Sequence, residues 1–152
     1  MPFPNTDHPW KVRPLGELFK LTTVGLTPHN YPNEEFHHYS IPAWDEFGGP
    51  TLDPGKSIDS GKFLLTEQSI LVSKLNPQIN RVREFFPHTD GRRACASTEL
   101  MVYVPRSEGI CPAFYVHYMR SDHFRRNLIS SATGTTNSHK RARPLETLSK
   151  HP

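Results

Sequence analysis

The segment Ser69–Lys74, with the sequence SILVSK, predicts a β-strand because apolar and β-branched residues fill its centre. Phe63–Leu65 before it and Ala94–Val104 (ACASTELMVYV) after it have the same character. These three segments place a β-sheet in the middle of the chain.

Weaker signals extend this sheet on both sides. Trp10–Val24 is mostly apolar or β-branched and predicts a strand, or a short helix followed by a strand. Tyr39–Trp44 is expected to be extended because a proline disfavours the helical region for the residue before it. Arg81–Phe86 alternates weakly, and the Asp-Gly step in His88–Arg93 favours a hairpin into the following strand. Glu46–Lys62, rich in Gly, Pro, Asp and Ser, predicts turns.

The last third of the chain changes to helical spacing. Ala113–Arg120 and His123–Ala132 predict two helices, and the second has an apolar stripe. Asp122 is the expected N-cap of that helix, and Gly134 its expected end. Strands followed by helices predict an α+β fold: a single domain with a twisted, mostly antiparallel sheet and two C-terminal helices.

Composition limits the class of protein. The 152 residues suit one domain, and 15 prolines argue against a helical bundle. No apolar run approaches the roughly 18 residues of a membrane span, and the N-terminus lacks the pattern of a secretory signal. We therefore expect a cytoplasmic protein with two free cysteines.

Charge is distributed unevenly along the chain. Residues 29–69 have a net charge of −5, whereas residues 70–152 have a net charge of +7. A surface that faces a polyanion is therefore expected in the second half.

Three apparent catalytic or metal motifs fail on spacing or on residue identity. Gly49–Ser57 (GPTLDPGKS) has five residues between its outer glycines where a phosphate-binding loop needs four, and neither the strand nor the helix that should flank it is evident. Cys95, Cys111, His117 and His123 lack the close cysteine pair of a zinc site, and His37-His38 are expected in a solvated loop. The NPQI sequence at Asn76 lacks the second proline and the aromatic residue of the NPPY motif of adenine methyltransferases.

Three polar stretches have the composition of a DNA-binding surface. The first, Leu71–Arg83, carries Lys and Arg for phosphates and Asn for adenine edges around a proline turn. The second, Ala96–Glu99 (ASTE), has hydroxyls that bind phosphate or cap a helix. The third, Ala132–Arg143, is polar and basic. The candidate DNA-facing residues are Lys74, Asn76, Asn80, Arg81, Thr135, Thr136, Asn137, Ser138, His139, Lys140 and Arg141. Each stretch also has a plainer interpretation, as an ordinary polar turn, a helix cap or a basic loop.

At these residues the sequence resembles a target-recognition domain of the specificity subunit of type I restriction–modification enzymes. The resemblance covers about residues 10–149, and its matching pieces are WKVRPLGEL at 10–18, YSIPAWD at 39–45, GKFLL at 61–65, ILVSKLNPQINRV at 70–82, ASTEL at 96–100, FYVHYMRSDHFR at 114–125 and ATGTTNSHKR at 132–141. The combination of KLNP, ASTE and ATGT is its most specific part.

The resemblance implies a non-catalytic domain that reads one half of a split site in double-stranded DNA. Methylation and cleavage then belong to partner methyltransferase and restriction subunits, and S-adenosylmethionine binds to the methyltransferase partner. The spacer helices and second recognition domain of that family have no counterpart in this sequence, so a half-subunit or fragment is expected. The alternatives are a truncated recognition domain that inhibits the restriction complex without reading DNA, and a small hydrolase with an unfamiliar site.

Overall fold

The computed structural model describes residues 15–130. This part of the chain contains four helices and nine strands. The helices are α1 (Leu15–Leu18), α2 (Ile41–Phe47), α3 (Pro112–Met119) and α4 (Asp122–Ser130). The strands are β1 (Phe19–Leu21), β2 (Gly25–Leu26), β3 (Glu35–Tyr39), β4 (Thr51–Pro54), β5 (Lys62–Leu65), β6 (Ser69–Ser73), β7 (Val82–Phe85), β8 (Ala94–Ala96) and β9 (Leu100–Pro105). Short 3-10 turns lie at Pro28–Asn30 and Gly55–Ser57. The predicted α+β class is confirmed.

The strands form two sheets rather than the one expected. The first sheet has the order β1-β9-β6-β7 and is antiparallel throughout. The second has the order β2-β5-β8-β3-β4, and its only parallel pair is β3 with β8. The described strands are therefore mostly antiparallel, as predicted.

The centre of the first sheet is buried on both faces. On β6, Ile70 and Val72 face one apolar cluster, whereas Leu71 faces another. On β9, Met101 and Tyr103 face the first cluster, and Leu100, Val102 and Val104 face the second. Burial on both faces explains why these strands read as continuous apolar runs and do not alternate with polar residues.

Each face of the first sheet packs against a different layer. Helices α1, α3 and α4 cover one face and bury residues such as Leu15, Met119 and Phe124. The other face packs against the second sheet through a cluster that includes Phe85 and Leu100. The outer face of the second sheet has a small core of its own, formed by Phe36, Ile58 and Cys95.

The predicted strand Ala94–Val104 and the hairpin leading into it are wrong. The segment divides at residues 97–99 into β8 and β9, which belong to different sheets. The Asp90-Gly91 step does make a turn, with Gly91 at a φ of 81°, but this turn carries the chain from β7 in one sheet to β8 in the other. Pairing with β3 and β5 draws β8 away, which local turn chemistry does not reveal.

The predicted extended segment Tyr39–Trp44 is also wrong, because helix α2 begins within it. Ser40 supplies the N-cap, its Oγ accepting from the backbone N–H of Ala43 at 3.1 Å. Gly48 ends the helix with a φ of 74°. These two caps outweigh the restriction that Pro42 places on the preceding residue. The turns predicted over Glu46–Lys62 also contain a strand, β4.

Helices α3 and α4 confirm the two helices predicted in the last third. Ser121, and not Asp122, caps α4, since the Ser121 Oγ accepts from the N–H of Phe124 at 3.2 Å. The predicted helix end at Gly134 lies outside the described residues. Within residues 15–130, no helix has the length and apolar character needed to cross a membrane.

The apparent phosphate-loop motif has a structural explanation at Gly55. The Gly55 N–H donates to the carbonyl of Glu34 at 2.8 Å, so the two backbones run close together. A Cβ built on Gly55 would overlap the carbonyl oxygens of Pro28 and Tyr31. Glycine is required there for this close approach, independently of any phosphate.

We predict that Gly55→Ala lowers the free energy of unfolding by about 1–3 kcal/mol, because neither backbone carbonyl can move aside cheaply. Urea denaturation checks this value. Gly25→Ala is the matched control, since a Cβ at Gly25 meets nothing within 4 Å and should change stability by less than about 0.5 kcal/mol. Equal effects of the two substitutions would contradict the packing argument.

Candidate nucleic-acid interface

The turn that follows β6 carries four of the predicted DNA-facing residues and is fixed by its own hydrogen bonds. The Ser73 Oγ accepts from the N–H of Leu75 at 3.1 Å and donates to the carbonyl of Leu75 at 3.0 Å. The N–H of Ile79 donates to the carbonyl of Asn76 at 2.8 Å. The segment from Ser73 to Arg81, called here the proline turn, is therefore well ordered by local bonds.

Two other segments that carry the family resemblance meet this turn. The N–H of Lys74 donates to the carbonyl of Glu99 at 2.8 Å, which joins the proline turn to the ASTE segment. The N–H of Ser97 donates in turn to the carbonyl of Tyr39 at 2.9 Å, where the YSIPAWD segment begins. The fold thus brings together three separate pieces of the sequence, through bonds between residues that are 25 and 58 positions apart.

Arg81 is placed differently from the prediction. Its side chain is buried, at 7% exposure, and its Nε and Nη2 each donate to the carboxylate of Asp45 at 2.8 Å. Its Nη1 donates to the carbonyl of Leu75 at 3.0 Å. These bonds use all three guanidinium nitrogens, so Arg81 braces the proline turn against helix α2 and is not positioned to reach a phosphate.

The same pair sets the charge state of Asp45. Hydrogen bonds from the Arg81 guanidinium lower the pKa of the Asp45 carboxyl, and desolvation of the carboxyl beside Arg81 opposes that shift only in part. The carboxylate therefore stays ionised in the range where proteins are usually handled. Sequence reasoning missed Asp45, and no spacing signal connects residues 36 positions apart.

Lys74 is half-buried, and its ammonium group has no bonding partner within residues 15–130. Among the cations of residues 70–130, Arg126 is the other side chain without a partner in the described part of the structure. It is exposed on α4. Sequence reasoning did not select Arg126, although its place on the polar side of an amphipathic helix could have indicated it. These two side chains are free to meet an anion.

Asn76 and Asn80 have different environments. Asn76 has a φ of 48°, and its Oδ1 is buried without a hydrogen-bond partner in the described part of the structure. A bidentate pair with adenine needs both amide atoms, so Asn76 would have to turn outward to make one. Asn80 is exposed, and its Nδ2 donates to the carbonyl of Arg120 at 3.2 Å, at the end of α3.

Helix α4 packs beside the proline turn. A small cavity, about 10 Å³, is lined by Pro77 and Ile79 from the turn and by Arg125 and Leu128 from α4. The predicted residues Thr135–Arg141 come soon after this helix in sequence, but they lie outside the described residues.

Most of the cationic side chains in residues 15–130 are engaged by acceptors within the protein. Residues 15–130 have twelve Lys and Arg against thirteen Asp and Glu, a net charge of −1. Acceptors within the protein engage Arg81, Arg83, Arg92, Arg93, Arg106, Arg120 and Arg125. Of the net charge of +7 on residues 70–152, +4 lies in residues 70–130, where the net charge of −5 on residues 15–69 outweighs it, and +3 lies in residues 131–152.

The cysteines and the paired histidines do not form a metal site. Cys95 is a buried free thiol, whose burial raises its pKa to about 11, and Cys111 is an exposed free thiol. No group of three His, Cys, Asp or Glu side chains in residues 15–130 is arranged to hold a metal ion. The expectation that His37-His38 lie in a solvated loop is wrong, because both residues lie in β3 and are partly buried.

Comparisons with known proteins provide no assignment. No protein-family model matches the sequence, and no curated protein matches it significantly.

We predict that Asp45→Asn destabilises the protein by about 1–3 kcal/mol, because it leaves a buried guanidinium without its counter-charge. The pKa of Asp45 is lowered, so its contribution is fully present above about pH 4 and is lost as the pH falls further. Thermal unfolding measured between pH 7 and pH 3 should show that the difference in stability between the wild type and Asp45→Asn shrinks as the pH falls.

The control is Glu46→Gln, which removes the same charge from the next residue, an exposed one. It should leave stability within about 0.5 kcal/mol of the wild type. If Glu46→Gln is as destabilising as Asp45→Asn, general electrostatics and not the Arg81 pair is responsible.

Proposed function

We propose that this protein recognises double-stranded DNA, as a specificity module that directs the methyltransferase and restriction subunits of a type I restriction–modification system. The observation that carries the proposal is the meeting of the KLNP, ASTE and YSIPAWD segments at the proline turn. Such segments define the resemblance, and their convergence supports a shared functional surface. The proposal places the protein in the cytoplasm, with S-adenosylmethionine bound by the methyltransferase partner and not by this chain.

Within residues 15–130, phosphate contacts are assigned to cations without internal partners, and beyond them to cations chosen from the sequence. Lys74 lies at the proline turn, and Arg126 lies on α4, the helix that packs against that turn. Lys140 and Arg141, from the basic segment, complete the proposed set. Neutralising phosphates releases counterions, so binding should weaken steeply with salt.

Of the two asparagines, Asn80 is preferred as the residue that reads a base. The exposed amide of Asn80 is held at one point by the Arg120 carbonyl, which limits its motion without burying it. Asn76 has the left-handed conformation that asparagine tolerates better than most residues, which supports a role in setting the turn. The DNA sequence that is recognised depends on loop detail and is left open.

An inhibitory protein of the restriction complex is the second candidate. The net charge of −1 on residues 15–130 favours it, because a surface that binds DNA is usually cationic. Under this alternative, the chain binds the methyltransferase subunit without binding DNA.

We predict that the full chain binds duplex DNA with a slope of log K against log salt concentration of about −4 to −5, as expected for roughly 4–6 phosphate contacts. Fluorescence anisotropy measured at salt concentrations from about 50 to about 300 mM gives this slope. Lys74→Ala, Lys140→Ala and Arg141→Ala should each reduce the slope by about one unit and weaken binding to all sequences alike.

Lys20→Ala is the matched control, since Lys20 is exposed on β1 and pairs with Val104, away from the Leu100 end of β9 that meets the proline turn. It should leave the slope unchanged. Absence of binding at low salt, combined with capture of a methyltransferase subunit, would favour the inhibitory alternative and remove the DNA-reading proposal.

A second prediction separates reading a base from shaping the turn. Asn76→Gly preserves the left-handed conformation and should keep both stability and sequence preference, whereas Asn76→Ala should cost about 1–2 kcal/mol of stability with the preference unchanged. Asn80→Ala should lose about 1–3 kcal/mol of binding on the preferred site only. Selection from a randomised duplex library, together with thermal unfolding, measures both quantities.

Loss of preference in a stable Asn76→Gly variant would restore Asn76 as a base reader. Unchanged preference in Asn80→Ala would remove Asn80 from that role.

A further inference from the structure

Two histidine rings stack where the chain crosses from the first sheet to the second. His37 lies on β3, and His88 lies in the loop Phe86–Arg93 between β7 and β8, called here the crossover loop. Their ring centroids are 3.6 Å apart, and the planes differ by 5°. Neither residue belongs to the proposed DNA-binding surface.

Hydrogen bonds on both sides of the stack hold the crossover loop to β3. The Nε2 of His88 lies 2.6 Å from the hydroxyl of Tyr39. The Nε2 of His37 lies 2.8 Å from Oδ2 of Asp90, which is itself in the loop. Each histidine thus links β3 to the loop, and the stack joins the two links face to face.

Charged and titratable groups surround the stack on every neighbouring element. Strand β3 and the residue before it contribute Glu34, Glu35, His37 and Tyr39, and β7 contributes Arg83. The crossover loop contributes His88, Asp90, Arg92 and Arg93. His38 and Asp53 lie on the opposite face of the second sheet. Asp90 remains ionised in mild acid, because a hydrogen bond from the N–H of Arg92 and further bonds from His37 and Arg92 lower its pKa to about 2. Arg92 is also bound to Glu35, and Arg93 to Glu34.

The Tyr39 bond favours an unprotonated Nε2 on His88. Burial raises the pKa of Tyr39, so the phenol keeps its proton and donates it to an acceptor. His88 Nε2 is the only acceptor for that hydroxyl within residues 15–130. Protonation of Nε2 would convert it into a donor and leave the hydroxyl hydrogen of Tyr39, a residue that is 8% exposed, without a partner.

A proton on His88 is also opposed by its surroundings. The carboxylate of Asp90 lies 2.8 Å from Nε2 of His37, whereas His88 has the face of the His37 ring against it at 3.6 Å. Burial and the nearby His37 together lower the pKa of His88, and Asp90 opposes this shift only in part.

We propose that the His37–His88 stack is an acid-sensitive latch, which holds the crossover loop to β3 while His88 is neutral and releases the loop when His88 binds a proton. The open loop exposes His88 to water, where its affinity for a proton is that of an ordinary histidine. The latch is therefore complete above about pH 6.5 and weakens as the pH falls below that value. Within that window, linkage to one proton raises the open population by up to about tenfold per pH unit.

Hydrogen exchange of the full chain tests the latch directly. Amide protection factors of residues 88–93, normalised to intrinsic exchange rates, should fall between pH 7.5 and pH 5.5. Those of Ile70–Val72, in the centre of the first sheet, should stay constant over the same range. The imidazole signals of His88, followed by NMR in the same samples, should titrate with a midpoint below 6.5.

Two variants test whether His88 causes the pH dependence of loop protection. His88→Gln removes the titrating group, so loop protection should no longer depend on pH. His117→Gln, at an exposed histidine on α3, should retain the wild-type dependence. The proposal is overturned if the loop of the wild type keeps constant protection while His88 titrates, if His88 titrates at 6.5 or above, or if the dependence persists in His88→Gln. The two wild-type measurements decide the matter even if His88→Gln fails to fold.

Discussion

The antiparallel pairing of β6 with β9 is the interaction on which the rest of the structure depends. It places Leu71 opposite Val102 and Val72 opposite Met101, and all four side chains are buried. One face of this pair supports the helical layer, and the other supports the second sheet. Because apolar burial is the main favourable term in folding, a pair buried on both faces fixes the order of the layers.

The same pairing positions the candidate interface. The register that ends with Ser73 opposite Leu100 brings the exit of β6 beside the entry of β9. The proline turn and the ASTE segment therefore meet through the Lys74–Glu99 backbone bond. The Arg81–Asp45 pair then attaches helix α2 to this corner. A buried guanidinium that donates from all three of its nitrogens contributes rigidity there, and this leaves contact with an anion to Lys74.

Ion pairing explains why charge counts alone misjudge this surface. The arginines between residues 81 and 125 contact carboxylates or backbone carbonyls, and Arg93 also lies 4.5 Å from the ring centroid of Tyr31. Side chains committed in this way contribute to packing and local order, and little to attracting a polyanion. The crossover loop follows the same principle, since Arg92, Asp90 and the histidine stack fasten it to β3.

The sequence by itself determined the elements whose causes are local: the strands around Phe63–Leu65 and Ser69–Ser73, helices α3 and α4, and hence the α+β class. Apolar content and helical periodicity act over a few residues, so they can be read directly. The sequence also identified the proline turn as a polar feature, with Lys74 among its residues. Only the tertiary structure decided that Ala94–Val104 divides between two sheets, that Arg81 pairs with Asp45 and that His37 stacks on His88. Each of these depends on residues distant in sequence becoming neighbours, and their energies arise only when the layers have packed.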